Sequence, residues 1–425
     1  MPTPSLILVP ARFKTGKLYT PLATTSGGLV LGASGDFNVT RATTATRFNS
    51  AGLIESVASG VPRLDYYTSG GTAGCPALLV EPSAQNVALR SAGMEVSGTW
   101  QRSNISVTTG TTSPEGLTTA FNIVESSDVT AQTHELAQSG LSVSSGTTYT
   151  FSLFIKTGTN NRNIRLVFGS ANFVGSPVAI FNPVSGSVVA SGDCVASVEN
   201  YGNGWFRCRM TATADVAGTS FFGVYPTSGT TVSYIGNGSG SVQVWGAQVE
   251  TGSIATSYIP TTTTAPVTRN ADNISLSGAI SGCIGQTEGT IYMEVDIRNM
   301  AKETYLIRID EGATSNVLSL RTLTSNVVRT AITAPTFSGT LNISSATFTA
   351  GILKIAFAYK SGEIALCVNG ANLTANGTFT FGASLNRITL GSNVSASSEF
   401  NDRIRSAALY TTRLTNAELA ALTTL

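Results

Sequence analysis

The sequence predicts an all-β fold. Three observations carry the prediction: small polar residues and 43 glycines punctuate the chain, apolar and aromatic residues fall in short alternating runs, and helical periodicity is almost absent over 425 residues. Together they predict an irregular β-rich N-terminal segment, two antiparallel β-sandwiches and a short C-terminal helix. The expected division is 1–85, 86–262 and 263–425.

Residues 1–85 are the least regular. Strand-like pieces at Asp36–Arg41, Ala51–Glu55 and Pro76–Pro82 lie between turns such as Ser69-Gly70-Gly71, without an obvious closed core. This reads as an attachment or adaptor segment that gains order by packing on neighbours. In 86–262, Thr148–Lys156 alternates with period two: Tyr149, Phe151, Leu153 and Ile155 share one face, and Thr150, Ser152, Phe154 and Lys156 the other. Asn163–Phe168 and Val178–Phe181 are further strands. Asp193–Glu199 and Trp205–Ala212 form a hairpin about Asn200–Gly204, since Asn and Gly tolerate the positive φ that tight turns need. That fold sets Cys208 opposite Ala196, two residues from Cys194, and leaves a disulfide between the two cysteines open. Ser241–Glu250 closes the module. Pro260–Thr268, with two prolines and a threonine run, reads as an extended linker.

In 263–425, Gly289–Ile297, Leu353–Tyr359, Arg387–Ser392 and Ile404–Tyr410 are strands. Asn369-Gly370 joins Glu363–Val368 to Ala371–Thr374 as a type I′ hairpin. Thr415 stands three residues before Glu418, a capping box that starts the terminal helix. Val39-Thr40-Arg41-Ala42 is echoed by Val267-Thr268-Arg269-Asn270-Ala271, as if both opened a module.

Composition excludes several functions. Charged residues make up 12% and the formal net charge is +1, so nothing neutralises a phosphate backbone, and nucleic-acid binding is not expected. No apolar run reaches the ~18 residues of a membrane helix, and Met1–Pro10 lacks the pattern of a secretory leader. Synthesis in a cytoplasm, with any external role exercised as part of a larger body, is the expectation. Five scattered cysteines without CxxC and a single histidine, His134, argue against zinc. Asp310-Glu311-Gly312 and Glu399/Asn401/Asp402 are the nearest approach to a calcium loop, and neither has a recognised spacing. No cofactor or metal is expected.

Three segments resemble known families. Asp36–Arg47, Gly52–Glu55, Val61–Tyr66 and Leu78–Pro82 resemble the opening region of tailed-bacteriophage head-spike and tail-fibre proteins. Gly146–Phe151, Gly202–Cys208, Val244–Glu250 and Ala255–Thr261 resemble the carbohydrate-binding-module-like jelly roll of such proteins. Val368-Asn369-Gly370, Ile388–Ser392 and Leu414–Leu419 are similar to concanavalin A-like (laminin-G-like) lectin domains. The resemblance implies a structural protein on the surface of a phage particle (head, neck or tail). It further implies virion proteins as partners, a homo-oligomer with a trimer as the expected form, and bacterial surface glycan as the alternative ligand.

Catalysis is not expected. Glu294 and Asp296 share a strand face, yet the E-x-D-x-x-E pattern of glucanases is broken by Asn299. His134, with no nucleophile motif beside it, reads as a surface or interface residue. For sugar stacking, apolar pyranose faces need aromatic rings. Trp205 and Trp245 lie inside strand patterns and read as core anchors. Trp100, beside polar Gln101-Arg102, and the loop-adjacent Tyr201, Tyr225 and Tyr234 are the carbohydrate-binding candidates, with core or inter-subunit packing as the other reading. Tyr66 and Tyr67 are similar loop-adjacent rings.

Overall fold

Strand alternation sorts the side chains of the C-terminal half into two layers. The computed structural model describes residues 1–20, 22–23, 29–30, 35–336, 341–393 and 399–425. In strand Glu288–Ile297, Ile291, Met293, Val295 and Ile297 join the core, while Tyr292, Glu294 and Asp296 take the opposite face. Across the core, Ile307 and Ile309, Leu318 and Leu320, and Ile388 and Leu390 come from neighbouring strands of a second sheet. The two sheets bury one continuous apolar layer between them.

The N-terminal segment belongs to these same sheets. Leu6–Leu8 and the C-terminal part of Ala73–Val80 both pair antiparallel with Asp402–Tyr410. Phe37–Thr40 pairs with Asn273–Ser277 in the facing sheet. Leu6, Leu8, Leu18, Phe37, Val39, Leu64, Leu78 and Val80 are all part of the C-terminal core. The neighbour on which the segment gains order is thus the chain's own far end. Short strands with wide sequence separation leave no local periodicity, which is why this core is not visible in the sequence. Among the described residues, the sheets have ten and nine strands.

The middle of the chain is inserted into this sandwich. Ala84–Asn86, leading in, pairs with Val267–Arg269, leading out. Between them, two six-stranded antiparallel sheets enclose a second core. One sheet holds Thr148–Thr157 between Phe206–Thr213 and Ser241–Thr251. The other holds Gly218–Thr227 between Glu135–Val143 and Asn163–Phe168. Tyr149, Phe151, Leu153 and Ile155 enter the core as expected. Pro260–Thr268 is not a free linker: Thr261 is fully buried, and its hydroxyl donates to Ala88 O.

Local turn chemistry holds where it was legible. Asn369 (φ 49°) and Gly370 (φ 83°) both adopt positive φ, as a type I′ turn requires. Helix Asn416–Thr423 carries the full Thr415–Glu418 capping box and lays Leu419 on the outer face of the sheet. The Cys194–Cys208 hairpin is shifted from its expected register. Tyr201 N–H bonds to Trp205 O, so Cys208 faces Val198 rather than Ala196. Both cysteines are free thiols: the Cys194 thiol donates to Val178 O, and Cys208 is buried in the core.

Candidate functional site

The two sheets of the inserted sandwich have outer faces with opposite surroundings. The outer face of the Thr148–Thr157 sheet is closed. Phe154, Trp205 and Trp245 pack there against Phe48, Ile54, Tyr67 and Tyr258. Tyr201, one of the sugar-stacking candidates, is part of this seam, its ring 4.8 Å from Tyr67 and 4.9 Å from Phe154. Gly71 and Gly202 meet so closely that a Cβ on Gly202 would lie 2.3 Å from Gly71 O.

A buried ion network closes the same junction. Arg63 bridges Glu81 and Asp272, Arg41 reaches Asp272 at 2.9 Å, and Arg269 pairs with Glu81. Ser257 adds its backbone N–H to Glu81 at 2.7 Å. All five charged side chains are buried. Burial pushes the Glu81 carboxyl up, but Arg269 and Arg63 outweigh it and hold the group well below the ordinary carboxylate range. The echoed arginines of the sequence, Arg41 and Arg269, thus converge on one cluster. Beside it lies a cavity of only about 50 Å³, lined in part by Arg207, Arg209, Glu199, Arg298 and Asp402. This volume suits a few waters and no sugar.

The outer face of the other sheet keeps some side chains exposed, although Tyr225, Ala137 and Val167 within it are buried. Register places Arg165 opposite Tyr225, with Gly223 between Ala137 and Val167 in the next row. Gly223 is required there, because a Cβ would stand 2.7 Å from the Tyr225 ring. The ring therefore lies down on the sheet. The Arg165 guanidinium sits 5.5 Å over its centroid, and the Glu135 carboxylate acts on its hydroxyl. Burial, reinforced by Glu135, pushes the Tyr225 phenol above its ordinary value. Half-buried Phe221 and exposed Gln101 and Ser139 continue the face, Ser139 Oγ lying 3.1 Å from Gln101 Oε1. The result is a trough of small residues filled by the Tyr225 ring and flanked by a carboxylate, a guanidinium and an amide.

Of the four predicted sugar-stacking residues, Tyr225 alone lies on this face. Trp100 is fully buried in the core, edge-on to Phe222 at 5.7 Å, with its indole N–H donating to Arg90 O. Alternation explains the correction, since Trp100 points inward and its neighbour Gln101 outward. Tyr234 is nearly buried at one end of the sandwich, stacked at 4.4 Å on His134, with its hydroxyl donating to Glu125. His134 is likewise fully buried, not on the surface, and bonds Asp128 at 2.8 Å. The residues missed were Arg165, Glu135 and Gln101. A signal for Arg165 existed: it is the lone charge in its strand, flanked by Ile164 and Leu166, and such a charge marks the face turned from the core.

Glu294 and Asp296 do share a face, but each is engaged by an arginine, Arg405 at 2.6 Å and Arg298 at 2.8 Å. Asn299, which breaks the glucanase pattern, donates its backbone N–H to Asp402 at the junction. Asp310 is held by Arg308 and Arg387. Among the described residues, no group of three or more His, Cys, Asp or Glu is arranged to hold a metal ion, and no helix is long and apolar enough to cross a membrane.

No protein-family profile matches the chain, and no curated protein matches it in sequence. Among solved structures, it is similar to the CBM40 module of the Ruminococcus gnavus IT-sialidase. That match has 18% identity and a TM-score of 0.29, and covers 33% of this chain and 84% of that one. Domains LG4-5 of the mouse laminin alpha1 chain match at 12% identity and a TM-score of 0.26, over 82% of this chain and 92% of that one. The SAP-like pentraxin of Limulus polyphemus matches at 12% identity and a TM-score of 0.25, over 31% and 68%. Scores of this size add nothing to the fold that the sheets themselves display.

Proposed function

We propose that the chain is a non-enzymatic, glycan-contacting surface protein, with the trough of the inserted sandwich as its binding face. The row Glu135–Tyr225–Arg165 carries the reading, with Glu135 and Arg165 part-exposed beside a buried Tyr225 ring. Uncharged hydroxyls are recognised by paired donors and acceptors held rigidly in place; this row offers a guanidinium and a carboxylate, and Gln101 beside it an amide, on paired strands. Contact rather than bond cleavage fits the carboxylates as well, since Glu294 and Asp296 are each engaged by an arginine.

A glycan array of bacterial surface polysaccharides tests the proposal. Binding should weaken about tenfold in Arg165→Met and in Tyr225→Ala, the scale of one lost charge-assisted or stacking contact. Absence of binding to any polysaccharide removes the glycan reading.

The location we propose, the outer surface of a tailed-phage particle among other virion proteins, is supported by the motif resemblance. Mass spectrometry of purified particles tests it, and light scattering tests the accompanying homotrimer. In this reading the three sequence regions act as one displayed unit: 1–85 docks against the C-terminal sandwich, and 86–262 projects from it.

A further inference from the structure

The split sandwich has two ends. Strand Glu288–Ile297 starts at one and finishes at the other, and at ~3.3 Å per residue its ten residues span roughly 30 Å. Its last residue leads into Arg298 and Asn299 at the junction cavity. Its first follows Gln286 and Thr287, which line a second cavity of about 400 Å³, within the range of small-ligand pockets. The rest of the wall is Ser361 and the run Phe379–Ser384. Phe379 is buried and Phe381 half-buried, their rings 5.4 Å apart.

This wall belongs to a stretch, 376–386, that has no regular secondary structure and is nevertheless pinned from several sides. The Gln286 carboxamide donates to Ser281 O, Ile284 O and Leu385 O and accepts from Leu385 N–H. Gly382 N–H bonds to Asn316 Oδ1, Phe379 N–H to Ser361 Oγ, and Thr380 N–H to Thr336 Oγ1. A loop held at this many points forms its cavity before any ligand arrives, so little ordering entropy opposes binding.

We propose that this cavity binds one neutral pyranose unit of a glycan. Among the described residues, no charged side chain lines it, which disfavours acidic sugars and phosphates, whose desolvation would go uncompensated. The part-exposed Phe381 ring offers a stacking surface for the C–H face of a pyranose. The exposed hydroxyls of Thr287 and Ser384 stand at the rim as donors and acceptors. The site is independent of the trough on the inserted sandwich, so it survives the failure of that reading.

Saturation-transfer NMR on the full chain tests it. The probes are the methyl pyranosides of glucose, galactose, mannose and N-acetylglucosamine, with glucuronic acid as the charged comparison. At least one neutral glycoside should show transfer to its ring C–H protons. That signal should persist in Tyr225→Ala and fall about tenfold in Phe381→Ala. Ser384→Trp, which fills the cavity from an exposed position, should abolish it while thermal melting stays unchanged. The proposal is overturned if no neutral glycoside gives a signal, if glucuronic acid binds equally well, or if the signal is indifferent to both cavity variants.

Discussion

The two sheets of the inserted sandwich obey the same alternation and meet different fates. In strand Thr148–Thr157, the residues that alternation turns away from the core, Thr150, Ser152 and Phe154, are as buried as those that face it. In strand Asn163–Phe168, the residues turned away are Asn163, Arg165 and Val167, and of these Arg165 stays half-exposed above Tyr225. The first sheet is a middle layer of the molecule and the second an outer one. Aromatic residues on the first therefore serve packing, and polar residues on the second remain available to a ligand.

The largest expected effects come from breaking the closed side. Asp272→Ala strands Arg41 and Arg63 in a buried site and should cost about 3–5 kcal/mol in urea unfolding. Phe154→Ala, which opens a void between both modules, should also cost about 3–5 kcal/mol, against about 1–2 kcal/mol for Phe221→Ala, half-buried on the outer face. Equal costs for these two aromatic truncations would erase the distinction between the faces.

A pH titration sharpens the comparison further. Burial at the junction pushes the Asp402 carboxyl up from 3.8 to about 7, against the opposing pull of the Asn299 N–H. The unfolded chain gives up this proton first. The stabilising contribution is therefore complete below about pH 4 and is lost as pH rises through 7. Asp402→Asn should remove that decline, gaining on the order of 2 kcal/mol over the wild type between pH 5 and pH 8 in paired urea titrations. Parallel curves for the two proteins would show that Asp402 does not titrate in this window. The smallest effect belongs to a site remote from both faces: Thr415→Ala removes the helix cap and should lower stability by about 1 kcal/mol, with no change in glycan binding.

Much of this was legible from local chemistry. The period-two runs of Thr148–Lys156 and Gly289–Ile297, the Asn369-Gly370 turn and the Thr415 cap each depend on a few adjacent residues, and each appears as read. The candidate site was less legible. Tyr225 was named for its ring, but the partners that make its face a site, Arg165 and Glu135, reach it across strands. Trp100 was misplaced because a tryptophan flanked by polar residues looks the same from either side of a strand.

By itself the sequence determined what neighbouring residues settle between them: strand alternation, turn type, capping, and a composition with no excess of charge. Tertiary structure alone decided that Leu6–Leu8, Phe37–Thr40 and Ala73–Val80 complete the C-terminal sandwich and that Arg41, Arg63 and Arg269 meet on two carboxylates. It also decided which outer sheet face is covered. Those outcomes depend on contacts between residues some 200 to 400 positions apart, as in Arg41–Asp272 and Leu6–Leu409. The free energy of such contacts comes from burial, and no local pattern encodes what a surface will be buried against.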